Sequence, residues 1–462
     1  MKIIISIIAA LLFSTLFYRH DIGMNLSLFS FLTAGILAFL HPHILILRSN
    51  IIYLSAYLIT AIMVFFNHSD LAIFANYTAF FVVIGTFSES QSSIYIRIVN
   101  GLYSTIAGYF QKKFEAVDDQ DKSSWKQNID FVQLSKLIGI PLIVIILFII
   151  LYKDGNPIFS DFIARINFDA IDFQLILFTV LGFFLFNNIL NPVTIGKATA
   201  IDLATKNRLN PTSPIQEPEL KKEQQLGIVL MALLNVLLIF YSITDISYLL
   251  SNNSTSAVTL SNQVHNGINA LIASILIAIF IILYFFRGNL NFYKHNSNLK
   301  NLSYAWIILN ILLVVLIAIK NNAYVTSFGF TYKRIGVYMY LCLTVAGLIT
   351  TFLKVRNIQN LWYLFRVNTQ VAFAFLIIAS CIDWDYTITN YNLKHAQILD
   401  IDYLIDLTDN NAILLNDFSK QRELSEVQAE KITKKYDYLV QKVDSRKWQE
   451  WTSDNLANTF VK

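Results

Sequence analysis

Long apolar runs separated by short polar clusters recur from the first residue to about position 381, each close to the length of a membrane-crossing helix. The pattern predicts eleven spans, at 1–18, 24–40, 51–66, 71–87, 135–152, 173–190, 226–246, 267–286, 302–320, 335–353 and 361–381. A bilayer core asks for about 20 residues per helix, so the first four are short, and tilting or local thinning must absorb the mismatch. A further stretch, 94–110, contains Arg97, Asn100 and Gly101 and runs into Gln111-Lys112-Lys113. It is expected to lie at the interface; if it spans instead, everything before it changes side. Pro141 is expected to kink the fifth span.

The predicted fold class is therefore all-α: a polytopic transmembrane helix bundle, N-terminus inside, with a small helical extracytoplasmic segment at the C-terminus. The organisation follows: first membrane helices plus the interfacial helix (1–110), a cytosolic loop (111–134), membrane helices (135–190), a cytosolic linker (191–225), further membrane helices (226–381) and the tail (382–462). Lys2 before an apolar run resembles a signal peptide, but Tyr18-Arg19-His20-Asp21 offers no small-residue cleavage site, so a retained first helix is expected.

Composition agrees with this pattern. Of 462 residues, 55% are hydrophobic and only 14% charged, against about a quarter charged in a soluble protein. A soluble multidomain enzyme, a disordered chain, a disulfide-stapled domain and a nucleic-acid binder are all disfavoured. The charges are unevenly placed. Residues 1–381 hold 25 Lys/Arg against 17 Asp/Glu, and residues 382–462 hold 10 against 14. With the N-terminus inside, the inner segments carry 18 basic residues and the outer loops 6, the bias of the positive-inside rule. A multi-pass membrane protein is the expected setting, with the lipid bilayer as its first partner.

Candidate chemistry gathers at the two faces. Asp245, His265, Asn266, Tyr324, Lys333, Arg334, Asp383 and Asp385 all fall near predicted outer span ends and could share an extracytoplasmic vestibule. The plain alternative is that such residues anchor helices at headgroups or face water. Arg287, Asn289, Arg366 and Asn368 form the corresponding cytosolic-side set. Arg366, five residues inside the last span, is expected to snorkel towards the cytosolic headgroups. No span carries a central Asp or Glu, which disfavours a pump built on a buried carboxylate. His41-Pro42-His43 is too poor in ligands for a metal site, Cys342 and Cys381 make no framework, and no nucleotide, cofactor or hydrolase motif occurs. Ala270, Ser274 and Ala278 suggest a small-residue packing face on the eighth span. In the tail, Val427, Ile432, Tyr436, Leu439 and Val443 recur at helical spacing, and Ser445 is a candidate N-cap for a last segment. A cap packed on the bundle is expected there, with a module that binds an unknown protein partner as the sharper alternative.

Several segments of the second half resemble a known family: Val264-His265-Asn266-Gly267, Phe285-Phe286-Arg287-Gly288-Asn289-Leu290-Asn291-Phe292-Tyr293, Tyr332-Lys333-Arg334-Ile335-Gly336-Val337 and Trp384-Asp385. The set is similar to a bacterial multi-pass membrane family known as domain of unknown function 4173, with its sibling family 4153 alongside. The motifs run from about 226 to 392, and the first half matches mainly in hydropathy. The resemblance implies an integral, multi-pass protein of the bacterial inner (cytoplasmic) membrane and carries over no catalytic residue. Three functions compete: transport or permeation, a membrane-anchored regulatory or envelope-assembly protein, and a transferase acting on a lipid-linked substrate through Asp245, Asp383 or Asp385. The enzyme reading is the least favoured, because the first outer loop is short.

Overall fold

The computed structural model describes residues 2–118, 172–211, 217–250 and 257–458, with scattered positions between 141 and 159. Helices α1 (Lys2–Phe17), α2 (Met24–Leu40), α3 (Arg48–Asn67), α4 (Asp70–Ser88) and α5 (Ile94–Asp118) come first. They are followed by α6 (Phe173–Ile189), α7 (Gly196–Ala204), α8 (Glu217–Leu250), α9 (Ala257–Phe285), α10 (Ser297–Phe328), α11 (Tyr332–Arg356) and α12 (Leu361–Ser380). The tail forms α13 (Trp384–His395), α14 (Ile401–Ile405), α15 (Ala412–Ser419), α16 (Glu426–Ser445) and α17 (Ser453–Asn458). No strand occurs among the described residues.

Six of these helices, α3, α4, α8, α10, α11 and α12, are long and apolar enough to cross a membrane. Shorter apolar helices are α1, α2, α6 and the Leu271–Phe285 part of α9. Together they account for ten of the eleven expected spans; the remaining one, 135–152 with Pro141, lies largely outside the described residues. The protein is thus an all-α helical membrane bundle.

The chain divides into two compact units, Met1–Arg19 with Ser104–Asn191, and His20–Tyr103 with Pro192–Lys462. In the first, α1 lies antiparallel to α6. Tyr18 donates to the Asp172 carboxylate at 2.7 Å, while at the other end Lys2 donates to the Leu190 carbonyl at 3.2 Å. Gly182 lets the Phe13 ring settle against α6, where it stacks on Phe178 with centroids 5.0 Å apart.

The second unit contains two closely packed regions. In one, α4 and α5 touch backbone to backbone: a Cβ on Gly85 would strike the Arg97 carbonyl, and one on Gly101 would strike the Phe81 carbonyl. Each glycine sits four residues from the carbonyl that opposes the other, an arrangement only small residues permit. The stretch 94–110 therefore forms the body of α5, with Arg97 and Asn100 buried. In the other region, Met231 of α8, Ile275, Ala278 and Ile282 of α9, Leu313 and Ile317 of α10, and Leu348 of α11 share one apolar core. Ser274 is exposed, so the packing face of α9 is Ile275-Ala278-Ile282 rather than a small-residue stripe through Ser274.

The tail folds onto the bundle. Its own core joins Ile388, Leu404, Leu415 and Ile432 to Ile335 of α11. Met24 donates its amide to the Trp451 carbonyl at 2.8 Å, Ser453 donates to the Phe66 carbonyl at 2.9 Å, and Asn410 donates to the Asn67 carbonyl at 2.6 Å. Ser445 closes α16, and the last helix begins only at Ser453; the stretch between forms a 3-10 turn over Trp448–Glu450.

Candidate functional site

One face of α8 departs from the apolar pattern. Asn235, Ser242 and Asp245 are spaced seven and three residues apart, which puts them on the side of the helix that meets α10. Asn235 donates through its Nδ2 to the Met231 carbonyl at 2.8 Å and to the Leu302 carbonyl of α10 at 3.0 Å. Asp245 receives the ammonium of Lys320 on one carboxylate oxygen. Asn235, Ser242 and Asp245 are all at least nine-tenths buried, at 6%, 3% and 8% exposure. Yet the Asn235 Oδ1, the Ser242 Oγ and the second Asp245 oxygen have no hydrogen-bond partner among the described residues. Buried polar atoms are nearly always bonded, and an orphan costs about 1–3 kcal/mol. Three on one helix face, over ten residues or roughly 15 Å of rise, mark a departure with a cause.

At the same end of α10, Arg334 folds back from the start of α11. Its guanidinium donates to the carbonyls of Phe328 and Gly329 and lies 3.9 Å from the Tyr324 ring centroid. The carbonyl of Arg334 accepts from Asn321 at 3.1 Å. Gly329 adopts φ +75°, a left-handed conformation, and the Asn392 side chain occupies the space a Cβ would need. Asn392 also donates to the Phe330 carbonyl at 2.8 Å. Nearby, Tyr332 donates to Asp385 at 2.6 Å, and Thr408 of the tail donates to the other oxygen of that carboxylate. Asp383 caps α13 by accepting from the Tyr386 amide at 3.0 Å, and burial raises its carboxyl above the usual range.

Of the expected outer set, Tyr324 and Arg334 meet directly, while Asp385 is bonded by Tyr332, two residues before Arg334. Asp245 stands apart with Lys320. Lys333 is exposed, and the side chains of His265 and Asn266, on α9, fall outside the described residues. Asp245, Asp383 and Asp385 have separate partners, which leaves the transferase reading without a shared acid–base centre.

The cytosolic-side residues likewise separate. Arg287 pairs with Glu223 at 3.1 Å and lies over Tyr284. Asn289 opens the 3-10 turn Asn289–Phe292, and Asn368 accepts from Thr350 at 2.8 Å. Arg366 does not snorkel freely. It donates to the Asp202 carboxylate of α7 at 3.0 Å and to Asn207 at 2.7 Å. Asp202 also accepts from the Ser93 hydroxyl at 2.6 Å and the Tyr95 hydroxyl at 2.8 Å. Burial alone would raise this carboxyl, and these donors outweigh it and hold it below the usual range.

Sequence reasoning passed over Asn235, Ser242, Asp202 and Lys354. Lys354 is fully buried on α11 and donates to the Phe286 carbonyl at 2.6 Å, where the Phe285-Phe286-Arg287-Gly288 segment leaves α9. The heptad-like spacing on α8 was a usable signal. The partners of Asp202 and Lys354 come from distant segments and were not visible.

The sequence profile of the family described as domain of unknown function (DUF4153) matches residues 7–417. The chain belongs to that family. Of the two sibling families the motifs resemble, 4153 is thus the one the match supports, and it reaches into the first half as well as the motif-bearing second. No curated protein and no solved structure matches the chain.

Proposed function

We propose that this DUF4153 protein is a transport or permeation protein of the bacterial cytoplasmic membrane, with the α8–α10 seam as the path of a small polar solute. The observation that carries this reading is the row of oxygens of Asn235, Ser242 and Asp245 without a partner among the described residues. A bundle that only anchors a tail gains nothing from them, because an apolar side chain at each position would pack without an orphaned group. A path for a polar solute needs such atoms, since they replace hydration at a low energetic cost. The basic-residue bias of the loops supports a cytosolic N-terminus.

Thiol accessibility tests the reading. Cys342 and Cys381, both free and exposed, are first replaced by alanine. Ser242→Cys and Asn235→Cys are then expected to react in membrane vesicles with a charged, water-soluble methanethiosulfonate. Phe240→Cys, on the 66% exposed face of α8, serves as the lipid-facing control and is expected to stay unreacted. If Ser242→Cys and Asn235→Cys are as silent as the control, the seam is dry and the reading fails.

A further inference from the structure

The chemistry of the open atoms along the seam goes one step further, resting on the permeation reading. The Asn235 amide cannot be turned around, because its Nδ2 is already engaged with the Met231 and Leu302 carbonyls, so the atom left over is the acceptor Oδ1. Asp245 offers its second oxygen, an acceptor with formal charge. Ser242 offers a hydroxyl oxygen, which accepts while its hydrogen turns elsewhere. Neither Asn235 nor Asp245 offers a spare N–H donor. The Lys320 ammonium gives one of its three N–H groups to Asp245 and balances that carboxylate's charge. A carboxylate followed along the helix face by further hard oxygen acceptors matches a cation and repels an anion.

We infer that the seam selects cationic solutes, with Asp245 as the selecting group and the Lys320 ammonium as a tethered cation that holds the carboxylate until a mobile one replaces it. The exchange is balanced in charge: a monovalent cation takes the place of the ammonium at Asp245, and Lys320, 21% exposed at its side chain, swings towards the bundle's end. Such an exchange avoids an uncompensated buried carboxylate at either stage.

The test uses the full-length Ser242→Cys protein without its native cysteines, probed with a cationic and an anionic methanethiosulfonate of similar size. Rates are divided by those on a free thiol in solution. The cationic reagent is expected to react at least about tenfold faster, the scale on which a site of one charge sign enriches its counter-ion. Lys320→Met, which leaves Asp245 uncompensated, is expected to widen the ratio, and Asp245→Asn, which leaves Lys320, to invert it. The double variant Asp245→Asn with Lys320→Met removes both charges together, and its ratio should fall to about one. This keeps the test open should either single variant fail to insert. Equal rates for the two reagents in Ser242→Cys overturn the cation inference and leave the path intact. Silence towards both reagents overturns the path itself.

Discussion

Two of the places where the second unit buries formal charge treat it in opposite ways. Arg97 of α5 is 5% exposed and makes no ion pair within 4.0 Å among the described residues. Its Nε donates to the Ser92 carbonyl at 2.8 Å, Nη1 to Asn50 at 3.0 Å and Thr86 at 3.1 Å, and Nη2 to the Ser90 carbonyl at 2.7 Å. The Tyr53 ring covers the guanidinium at 4.8 Å. In the α8–α10 seam the charge is paired, yet oxygens along the same helix face have no partner among the described residues. A charge dissolved in fixed dipoles from α3, α4 and the 89–92 turn is a clamp: it ties three segments and offers nothing to a visitor. A pair with unused acceptors beside it pays for its openness in stability and gains a place for something to bind.

The contrast breaks most readily at Arg97. Arg97→Met keeps an unbranched apolar stem, two atoms shorter, and strips four acceptors of their donor, so unfolding in detergent is expected to become easier by about 3–5 kcal/mol. A loss below about 1 kcal/mol would mean the Arg97 pocket is as loosely coupled as the seam, and the comparison would collapse.

The cap gives an intermediate case, and one that pH can read. Lys435 of α16 donates to the Ile405 and Leu407 carbonyls at 2.9 and 2.8 Å, and burial pulls its pKa down to about 8 against the attraction of nearby Asp409, Asp385 and Asp406. An unfolded lysine titrates near 10.4. Between those two values the folded cap has released a proton that the unfolded chain still holds, so cap stability is expected to rise as pH goes from about 8 to about 10. After discounting for solvent screening the gain is roughly 1–2 kcal/mol. Proteolytic release of the tail, measured across that range, should slow with pH in the parent and slow less in Lys435→Met. An identical profile in both would detach Lys435 from the cap's stability.

How much of this was legible in the sequence depends on the reach of each interaction. The spans were legible because an apolar run is a local property: α3, α4 and α10 to α12 fall where the hydropathy places them. The helical tail was legible for the same reason, down to Ile432, Leu439 and Val443, which are buried as their spacing requires. Arg97 was visible, but its acceptors were not: they include Asn50, 47 residues away. Arg366 failed similarly, since its partner Asp202 is 164 residues upstream in what looks like a linker. The outer set was half legible. Arg334 and Tyr324 do meet, because the Phe328-Gly329 turn is local, but Asp385 answers to Tyr332 and Thr408, and Asp245 to Lys320 on α10, 75 residues away. What the sequence could have yielded and did not is the Asn235-Ser242-Asp245 face, whose spacing was plain but diluted by its apolar neighbours.

The finest test sets two hydroxyls of nearly equal burial against each other. Thr86 is 1% exposed and Ser242 is 3% exposed, so area alone predicts the same cost for losing either. Their bonding differs. Thr86 donates to the Val82 carbonyl at 2.7 Å and accepts from Arg97, whereas Ser242 has no partner among the described residues. Thr86→Val therefore orphans one donor of a buried cation and is expected to cost about 1–2 kcal/mol in detergent unfolding. Ser242→Ala removes an atom that was already unsatisfied, and its effect is expected to stay within about 0.5 kcal/mol of zero, with either sign. A Ser242→Ala cost matching that of Thr86→Val would show that the hydroxyl is bonded in the folded protein, and the α8–α10 seam would then be a second clamp rather than a path. A small cost joined to an altered rate of Asn235→Cys labelling would locate the role of Ser242 in what passes along the helix, because the folded state would barely register its loss.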